Sequence, residues 1–333
     1  MEKRSGDSEI PSPAVEEQEF SKEIEQLLTQ LPKATNWNGR ELCQYQGFWC
    51  QSGFLPGIIS FLKRFQARDS DIILVTFPKS GTTWLKALAF TIVNRSRYAL
   101  QNSPLLTTGP HELVPFLDLR LYMSNQPPVL EDLPSPRVFA AHTPFASLPK
   151  SIVNSNCRIV YMCRNPLDQF VSQWKFLFEI AVNQGLEPVS LDEAFEMVFN
   201  GVQAFGPFWA HVLGYWKASK EEPHRILFLR YEDLKENINF HVKRLADFLG
   251  VPFTEDEESK GVIGDISKFC SFDNMKDFEV NKTGTLPTGV KNSIFFRKGE
   301  VGDWKNHLTP SMSERLEKFY EELSCSDLTF KKS

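Results

Sequence analysis

Short apolar runs that end at polar residues, glycine or proline are the clearest regular feature of the chain. Four of them occupy Ile72–Phe77, Val138–Ala141, Arg158–Cys163 and Ile226–Arg230. Each run is apolar on successive positions, which is typical of a strand buried on both faces of a parallel sheet. Between the runs, apolar residues recur at helical spacing. The pattern predicts one α/β domain with a central, mostly parallel sheet flanked by helices.

The turn after the first run, PKSGTTW at 78–84, combines several groups that bind phosphate. Lys79 supplies an ammonium, Gly81 lets a ligand approach the backbone, and Thr82 and Thr83 supply hydroxyl donors. An amphipathic helix follows, with its apolar stripe at Leu85, Leu88, Ala89 and Ile92. The helix directs its N-terminal N–H groups at the same turn, so the pattern predicts a P-loop-like nucleotide-binding core. An ordinary strand-to-helix connection with a solvated lysine is the alternative.

The turn differs from the Walker pattern, because Lys79 precedes Gly81 and the first glycine of that pattern is missing. This difference favours a nucleotide other than a triphosphate that is cleaved between its β- and γ-phosphates. A P-loop small-molecule kinase is therefore a disfavoured alternative. A nucleotide-binding protein of the same fold without turnover is another.

Two further strand ends carry candidate functional side chains. His142 follows the second run, at the edge where open α/β sheets bind ligands, and a neutral imidazole can accept a proton from a hydroxyl. A structural role for His142 fits the residue pattern equally well. Arg164 and Ser172 follow the third run and can reach one phosphate. Pairing of Arg164 with Asp168 is the alternative.

Segments without periodicity add further candidates. The long stretch 97–137 is expected to form a functional lid or a binding wall, and 281–296 is expected to form a mobile cover. His111, among helix-start residues of the first stretch, is expected to be structural. In RKGEVGDWK at 297–305, two adjacent cations and two glycines can surround an anion, although exposed Arg-Lys pairs are common.

Composition and charge exclude several classes of protein. The 333 residues are 41% hydrophobic and carry a net charge of −5, which argues against a nucleic-acid partner. The six cysteines show no C-x-x-C spacing, and the chain has neither a signal-like N-terminus nor an apolar run of membrane length. We therefore expect a soluble cytoplasmic protein with free thiols and no membrane partner. No metal is predicted, because no ligand-type spacing occurs.

The chain is expected to form a single folded unit. Residues 1–18 are polar and acidic, so they are predicted to be a flexible tail before a domain at 19–330. The first helix is predicted to begin near Ser21.

Three motifs resemble those of the cytosolic sulfotransferases, which use 3′-phosphoadenosine 5′-phosphosulfate (PAPS). PKSGTTW after a buried strand resembles their 5′-phosphosulfate loop, and CRNPLDQFVSQW at 163–174 resembles their 3′-phosphate motif. RKGxxGDWK at 297–305 resembles the most specific signature of the family. The sequence LKALAFTIVNRSRY at 85–98 is similar to the corresponding sequences of the plant soluble branch of this family. The resemblance covers residues 45–330.

The resemblance implies transfer of a sulfuryl group from PAPS to a hydroxyl of a small hydrophobic acceptor. It assigns His142 as the catalytic base and Phe176 to the acceptor wall. Lys79 is assigned to the 5′-phosphate of the leaving group, at the oxygen that bridges phosphorus and sulfur. The implied PAPS-binding residues are Lys79, Ser80, Gly81, Thr82, Thr83, Trp84, Arg164, Ser172, Tyr231, Phe272, Arg297, Lys298 and Gly299. Plant acceptors include flavonols, brassinosteroids, hydroxyjasmonates and other phenols or alcohols, and the sequence does not distinguish them.

The chain departs from the animal pattern at two sites near the implied ligands. Ala140 stands where animal members have lysine, two positions before His142, so any contact of that lysine is absent or supplied elsewhere. Cys270 stands where threonine is usual, in a segment that lies over the adenine.

A third departure concerns assembly. Lys305, Thr309 and Glu314 have the spacing of the animal dimer motif, but Pro310 replaces valine and lacks an N–H donor. A monomer or a weak homodimer is therefore expected.

Overall fold

The computed structural model of the chain describes residues 13–124, 128–323 and 327–330. The strands are β1 Lys33–Thr35, β2 Glu41–Tyr45, β3 Phe48–Gln51, β4 Ile72–Thr76, β5 Val138–Ala141, β6 Arg158–Cys163 and β7 Ile226–Arg230. The helices of the first half are α1 Pro13–Gln30, α2 Leu55–Arg64, α3 Thr82–Asn94, α4 Pro110–Leu113, α5 Lys150–Val153 and α6 Pro166–Asn183. The later ones are α7 Leu191–Phe199, α8 Phe208–Glu221, α9 Tyr231–Glu236, α10 Ile238–Phe248, α11 Glu255–Ser259, α12 Val262–Phe269, α13 Phe272–Met275, α14 Glu279–Thr283 and α15 Pro310–Leu323.

A four-stranded parallel sheet in the order β5-β4-β6-β7 forms the centre of the domain. The predicted strands are confirmed, except that β4 ends at Thr76 rather than at Phe77. Alternate side chains of β4 enter two different cores. Ile73 and Val75 pack with the cluster that includes α2, α6 and α8, whereas Leu74 packs with α3, α10 and α12. Helices therefore cover both faces, as the continuous apolar runs predicted.

A second, antiparallel sheet in the order β1-β2-β3 lies near the N-terminus and was not predicted. Its strands are short and carry polar residues, so their alternation is weak in the sequence. Phe48 and Trp49 of β3 are buried.

The start of the first helix was predicted wrongly. Helix α1 begins at Pro13, before the predicted start near Ser21, and it includes residues 13–18 of the predicted flexible tail. Proline is compatible with the first position of a helix, because the N–H group that it lacks has no intrahelical partner there. Residues 1–12 of the predicted tail lie outside the described residues.

The carboxyl ends of the four parallel strands bring the candidate functional residues to one edge of the sheet. The 78–84 turn follows β4, His142 follows β5, Arg164 follows β6 and Tyr231 follows β7. Ligands of open α/β sheets bind at this edge.

Candidate active site

A cavity of about 640 Å³ opens at this edge of the sheet. Its volume lies within the range of small-molecule sites, roughly 300–1,000 Å³. The predicted residues on its wall are Lys79, Gly81, Thr82, Thr83, Trp84, His142, Arg164, Ser172, Phe176, Tyr231, Phe272, Arg297, Lys298 and Gly299. Ser80 is the exception, because it is buried and its backbone N–H donates to the carbonyl of Phe77.

The turn between β4 and α3 depends on a glycine. Gly81 has φ +98°, in the left-handed region, and it is the N-cap of α3. A Cβ atom on Gly81 would lie 2.7 Å from Cε of Met162 and 2.8 Å from Cδ2 of Tyr231. The first N–H groups of α3 have no intrahelical acceptor. The turn therefore places backbone donors and the hydroxyl groups of Thr82 and Thr83 beside the cavity.

Lys79 places an amine in the cavity, and the protonation of this amine depends on its surroundings. Its Nζ lies 4.1 Å from the ring centroid of Phe176 and 5.6 Å from that of Phe295. Burial lowers the pKa of Lys79 to about 7, and the positive charges of Arg164 and Arg297 add to this effect. An anion in the cavity would favour the charged form of Lys79.

His142 has the tautomer that a general base needs. Nδ1 of His142 donates to the carbonyl oxygen of Thr76 at 2.7 Å. Nε2 of the neutral ring is therefore left as a proton acceptor. The ring centroids of Phe116 and Phe205 lie 4.7 and 5.3 Å from that of His142. Burial lowers the pKa of His142 to about 3, so the imidazole is neutral at physiological pH.

The backbone of His142 is held by side chains that the sequence analysis did not identify. Oδ2 of Asp118 accepts from the N–H of His142 at 2.7 Å and from Oγ1 of Thr143 at 2.9 Å. Nε2 of His211 donates to the carbonyl of His142 at 2.7 Å. Burial raises the pKa of Asp118 to about 6, although both hydrogen bonds oppose this shift. Asp118 belongs to a π-helical turn, Leu117–Leu121, which local periodicity does not predict.

Arg164 lies on the cavity wall with one guanidinium donor unpaired. Its Nη2 donates to the carbonyl of Glu300 at 2.6 Å and lies 3.9 Å from Oδ2 of Asp168. Asp168 mainly accepts from the backbone N–H groups of Gly302 (2.7 Å) and Trp304 (3.1 Å), so pairing with Asp168 does not account for Arg164. Within the described residues, the buried Nε atoms of Arg164 and Arg297 have no hydrogen-bond partner. Unpaired buried guanidinium donors suit an anionic ligand.

A buried carboxylate positions the two cations of the 297–305 segment. Oδ2 of Asp303 accepts from Arg297 and Oδ1 from Lys298, each at 2.6 Å. Burial alone would raise the pKa of Asp303, but hydrogen bonds from Lys298, Asn306 and Arg297 outweigh it and hold the pKa well below its usual range. The segment has three cations, Arg297, Lys298 and Lys305, and two carboxylates, Glu300 and Asp303, so its formal net charge is +1.

An aromatic surface lies beside these cations. The hydroxyl of Tyr231 donates to the carbonyl of Gly299 at 2.9 Å. Gly299 has φ +67°, and a Cβ atom there would lie 2.5 Å from Cδ2 of Phe272. Glycine at 299 is therefore required for the close packing of the segment on the ring of Phe272.

The structure places two further residues that the sequence analysis named. His111, expected to be structural, lies on the cavity wall, and its Nε2 is 3.0 Å from Oγ1 of Thr83. Cys270, in the segment expected over the adenine, is fully buried with Sγ 3.4 Å from Oγ1 of Thr91, and it does not line the cavity. Sequence spacing alone does not show which side of a short helix faces the cavity.

Long segments of the chain complete the wall. His111, Phe116, Leu119 and Arg120 from the 97–137 stretch line the cavity, as do Leu286, Pro287, Thr288, Val290 and Phe295 from the 281–296 stretch. The first stretch therefore forms part of the cavity wall, and its role in binding stays a prediction. Mobility of the second stretch stays a prediction.

Among the residues described here, no group of three or more His, Cys, Asp or Glu side chains could hold a metal ion. In the same part of the chain, no helix is both long and apolar enough to cross a membrane. The predicted absence of a metal stays a prediction.

Comparison with known proteins identifies the class. A family model described as the sulfotransferase domain matches residues 69–327. The chain therefore belongs to the sulfotransferase family and is a sulfotransferase, as its motifs predicted.

Its similar relatives are plant enzymes. Cytosolic sulfotransferases 15 and 14 of Arabidopsis thaliana are 48% and 47% identical to the chain, and each alignment covers 96% of it. The alignments cover 90% and 93% of those two proteins. These names place the chain in the plant-type cytosolic branch and agree with the predicted cytosolic location.

Solved structures share the fold. A putative steroid sulphotransferase of Arabidopsis thaliana has a TM-score of 0.74 and 37% identity, with 98% of this chain and 100% of that chain covered. A mouse sulfotransferase complexed with PAP has a TM-score of 0.65 and 26% identity, with coverage of 86% and 95%. The predicted α/β fold is confirmed.

Proposed function

We propose that the protein transfers a sulfuryl group from PAPS to a hydroxyl of a small hydrophobic acceptor. The observation that carries this proposal is the pair of buried, unpaired Nε donors of Arg164 and Arg297, beside the same cavity as His142. The two arginines fit one phosphate, and Lys79 in the turn fits another, as a nucleotide with two phosphate positions requires. The complex of the mouse relative with PAP, adenosine 3′,5′-bisphosphate, supports this donor.

The donor half of the site has one set of residues for each anionic group. Lys79, Thr82 and Thr83, with the first N–H groups of α3, would hold the 5′-phosphosulfate. Arg164, Ser172, Arg297, Lys298 and the backbone of Gly299 would hold the 3′-phosphate, and Trp84, Tyr231 and Phe272 would contact the nucleoside. Ser80 would act through its place in the turn, because its side chain does not reach the cavity.

The transfer step needs one base and one cation. PAPS supplies a sulfuryl group on a good leaving group. Nε2 of His142 takes the proton of the acceptor hydroxyl while the acceptor oxygen bonds to sulfur. The bond between sulfur and the bridging phosphate oxygen breaks, and Lys79 meets the negative charge that develops there. This scheme uses no metal.

The remaining wall defines the acceptor end. Its apolar members are Phe54, Phe116, Leu119, Phe176, Leu177, Ile180, Ala204, Phe205 and Phe295. A largely apolar molecule with one accessible hydroxyl fits such a lining. Flavonols, brassinosteroids and hydroxyjasmonates all satisfy this description, and the name of the solved Arabidopsis relative favours a steroid-like member of the group. We also propose a cytosolic location and one sulfotransferase domain, which extends the predicted 19–330 to the start of α1 at Pro13.

Two measurements test the function. Calorimetric titration should show binding of PAP and no comparable binding of ATP with magnesium, which the kinase alternative would require. Turnover of PAPS with a panel of flavonols, sterols and hydroxylated fatty-acid derivatives should yield a sulfated product detectable by mass.

His142→Ala tests the step itself. The variant should bind PAP nearly as well as the wild type, because Nε2 acts on the acceptor, and its kcat should fall by about 10²–10⁴-fold. Retention of more than half of the wild-type kcat would remove His142 from the mechanism. His224→Ala, outside the cavity wall, is the matched control.

A further inference from the structure

Lys86 is a buried cation that has no role in the mechanism described above. Its side chain is fully buried in the second turn of α3. Its Nζ lies 3.2 Å from Nδ1 of His111 and 3.3 Å from the ring centroid of Phe116. The other ring nitrogen of His111, Nε2, lies 3.0 Å from Oγ1 of Thr83. A continuous chain of contacts thus leads from the core through His111 to the phosphate turn.

In its ammonium form, Lys86 determines the direction of these hydrogen bonds. A lysine ammonium has donors and no acceptor, so Nδ1 of His111 accepts from Lys86. The neutral imidazole then carries its proton on Nε2 and donates it to Oγ1 of Thr83. The hydroxyl hydrogen of Thr83 is left to point into the cavity.

The charges around the chain are consistent with this arrangement. Burial and the positive charges of Lys86 and Lys79 lower the pKa of His111 well below its usual value, so its ring is neutral. Burial lowers the pKa of Lys86 well below its usual value; the negative charge of Asp118 opposes this shift and the positive charge of Arg120 adds to it. A phosphate at the turn would further favour the ammonium form of Lys86.

We propose that Lys86 and His111 are positioning residues that hold the Thr83 hydroxyl as a hydrogen-bond donor to the 5′-phosphate end of the donor nucleotide. This inference rests on the proposed function, because it takes the ligand at the turn to be PAPS.

The same arrangement bears on the departure at Ala140. The backbone of Ala140 is bridged to Phe116, and the ammonium of Lys86 lies over the ring of Phe116. Lys86 is therefore separated by Phe116 from the strand position at which the animal pattern has lysine.

The first experiment measures PAP affinity by calorimetry with the full chain. Lys86→Met keeps most of the packing volume but removes the donor, and it should weaken PAP binding by about tenfold, the effect of losing one oriented hydrogen bond to a charged group. His111→Phe should cause a similar loss. His111→Gln places an amide N–H near the position of Nε2 and should restore most of the affinity. Lys243→Met, at an exposed lysine paired with Glu258, is the control and should bind as the wild type does.

A double-mutant cycle separates positioning from a general structural effect. Thr83→Val removes the hydroxyl with little change of shape, so Lys86→Met added to it should cost no more than about twofold further. Additive losses, or equal PAP affinity in Lys86→Met, His111→Phe and the wild type, would overturn this proposal.

The controls make the result decisive. Thermal unfolding shows whether each variant folds. If Lys86→Met does not fold, a double-mutant cycle that combines Thr83→Val with His111→Gln and with His111→Phe tests the coupling between His111 and the Thr83 hydroxyl. A wild-type protein that does not bind PAP would instead contradict the proposed function itself.

Discussion

Individual side chains determine which ligand charge the cavity favours. The wall carries Lys79, Arg164, Arg297 and Lys298. Of these four cations, Asp303 forms ion pairs with Arg297 and Lys298. The cavity therefore favours a negatively charged ligand. The motif residues could be predicted because they stand next to strand ends and helix starts. Asp118, His111 and Lys86 could not, because their roles depend on contacts between segments that are remote in sequence.

The arginines should recognise the 3′-phosphate specifically. Arg164→Ala and Arg297→Ala are each expected to weaken PAP binding roughly 10–100-fold, because each removes a charge-assisted hydrogen bond. The loss should shrink for adenosine 5′-monophosphate, which lacks the 3′-phosphate. Calorimetry with both nucleotides measures this difference, and Arg315→Ala, at an exposed ion pair with Glu196, is the control. Equal losses for both nucleotides would indicate that the arginines act structurally.

The lowered pKa of Lys79 predicts that nucleotide binding takes up a proton. In the free protein this pKa is about 7, and a bound phosphate should raise it. At about pH 8 the Lys79 amine is mostly neutral in the free protein and charged in the complex, so binding takes up a proton. The contribution of Lys79 to nucleotide affinity is therefore complete below the pKa of the free protein and declines as the pH rises above it. The binding heat should vary with the ionisation enthalpy of the buffer at this pH. Lys79→Met should abolish that variation, and a buffer-independent heat for the wild type would contradict the prediction.

Secondary-structure elements differ in how far the sequence determined them. The buried parallel strands were predicted almost to the residue, because their apolar runs are continuous and end at polar residues. The antiparallel strands β1, β2 and β3 were missed, because short half-exposed strands are stabilised by their partners rather than by their own composition. The π-helical turn Leu117–Leu121 was missed for a similar reason.

That turn should support catalysis through Asp118. Asp118→Ala leaves the buried N–H of His142 and hydroxyl of Thr143 without their acceptor, at a cost of about 1–3 kcal/mol for each group. The melting temperature and kcat should both fall, whereas PAP affinity should change little. Asp118→Asn retains an oxygen acceptor and should lose less, and the exposed Asp247→Ala is the control. A kcat within about twofold of wild type, with an unchanged melting temperature, would show that Asp118 is dispensable.

For the molecule as a whole, the cavity wall combines the part of the chain that matches the family with residues that precede it. The proposed donor end lies within residues 69–327, the part that matches the family. Asn36, Asn38, Gln51 and Phe54, which precede that part, also line the cavity. The motifs therefore predict the nucleotide but not the acceptor, because the proposed acceptor end combines residues from several segments that lack a motif.

The segment from Lys305 to Glu314 bears on whether two chains assemble into a dimer. Pro310 begins α15, and Oγ1 of Thr309 accepts from the N–H of Met312 at 3.2 Å, so this threonine already caps its own helix. Lys305, Thr309 and Glu314 are exposed, but Pro310 has no N–H for pairing with a second chain.

An interface built only around Lys305, Thr309 and Glu314 would bury far less than about 1,000 Å², so the loss of one hydrogen bond would weaken it substantially. We therefore expect a monomer or a weak dimer at low micromolar concentration. Sedimentation velocity measures this, and Pro310→Val, which restores the N–H, should shift the equilibrium towards the dimer if the patch can pair at all. A tight wild-type dimer that Thr309→Glu dissociates would prove the expectation wrong, because it would show that the missing donor does not limit the interface.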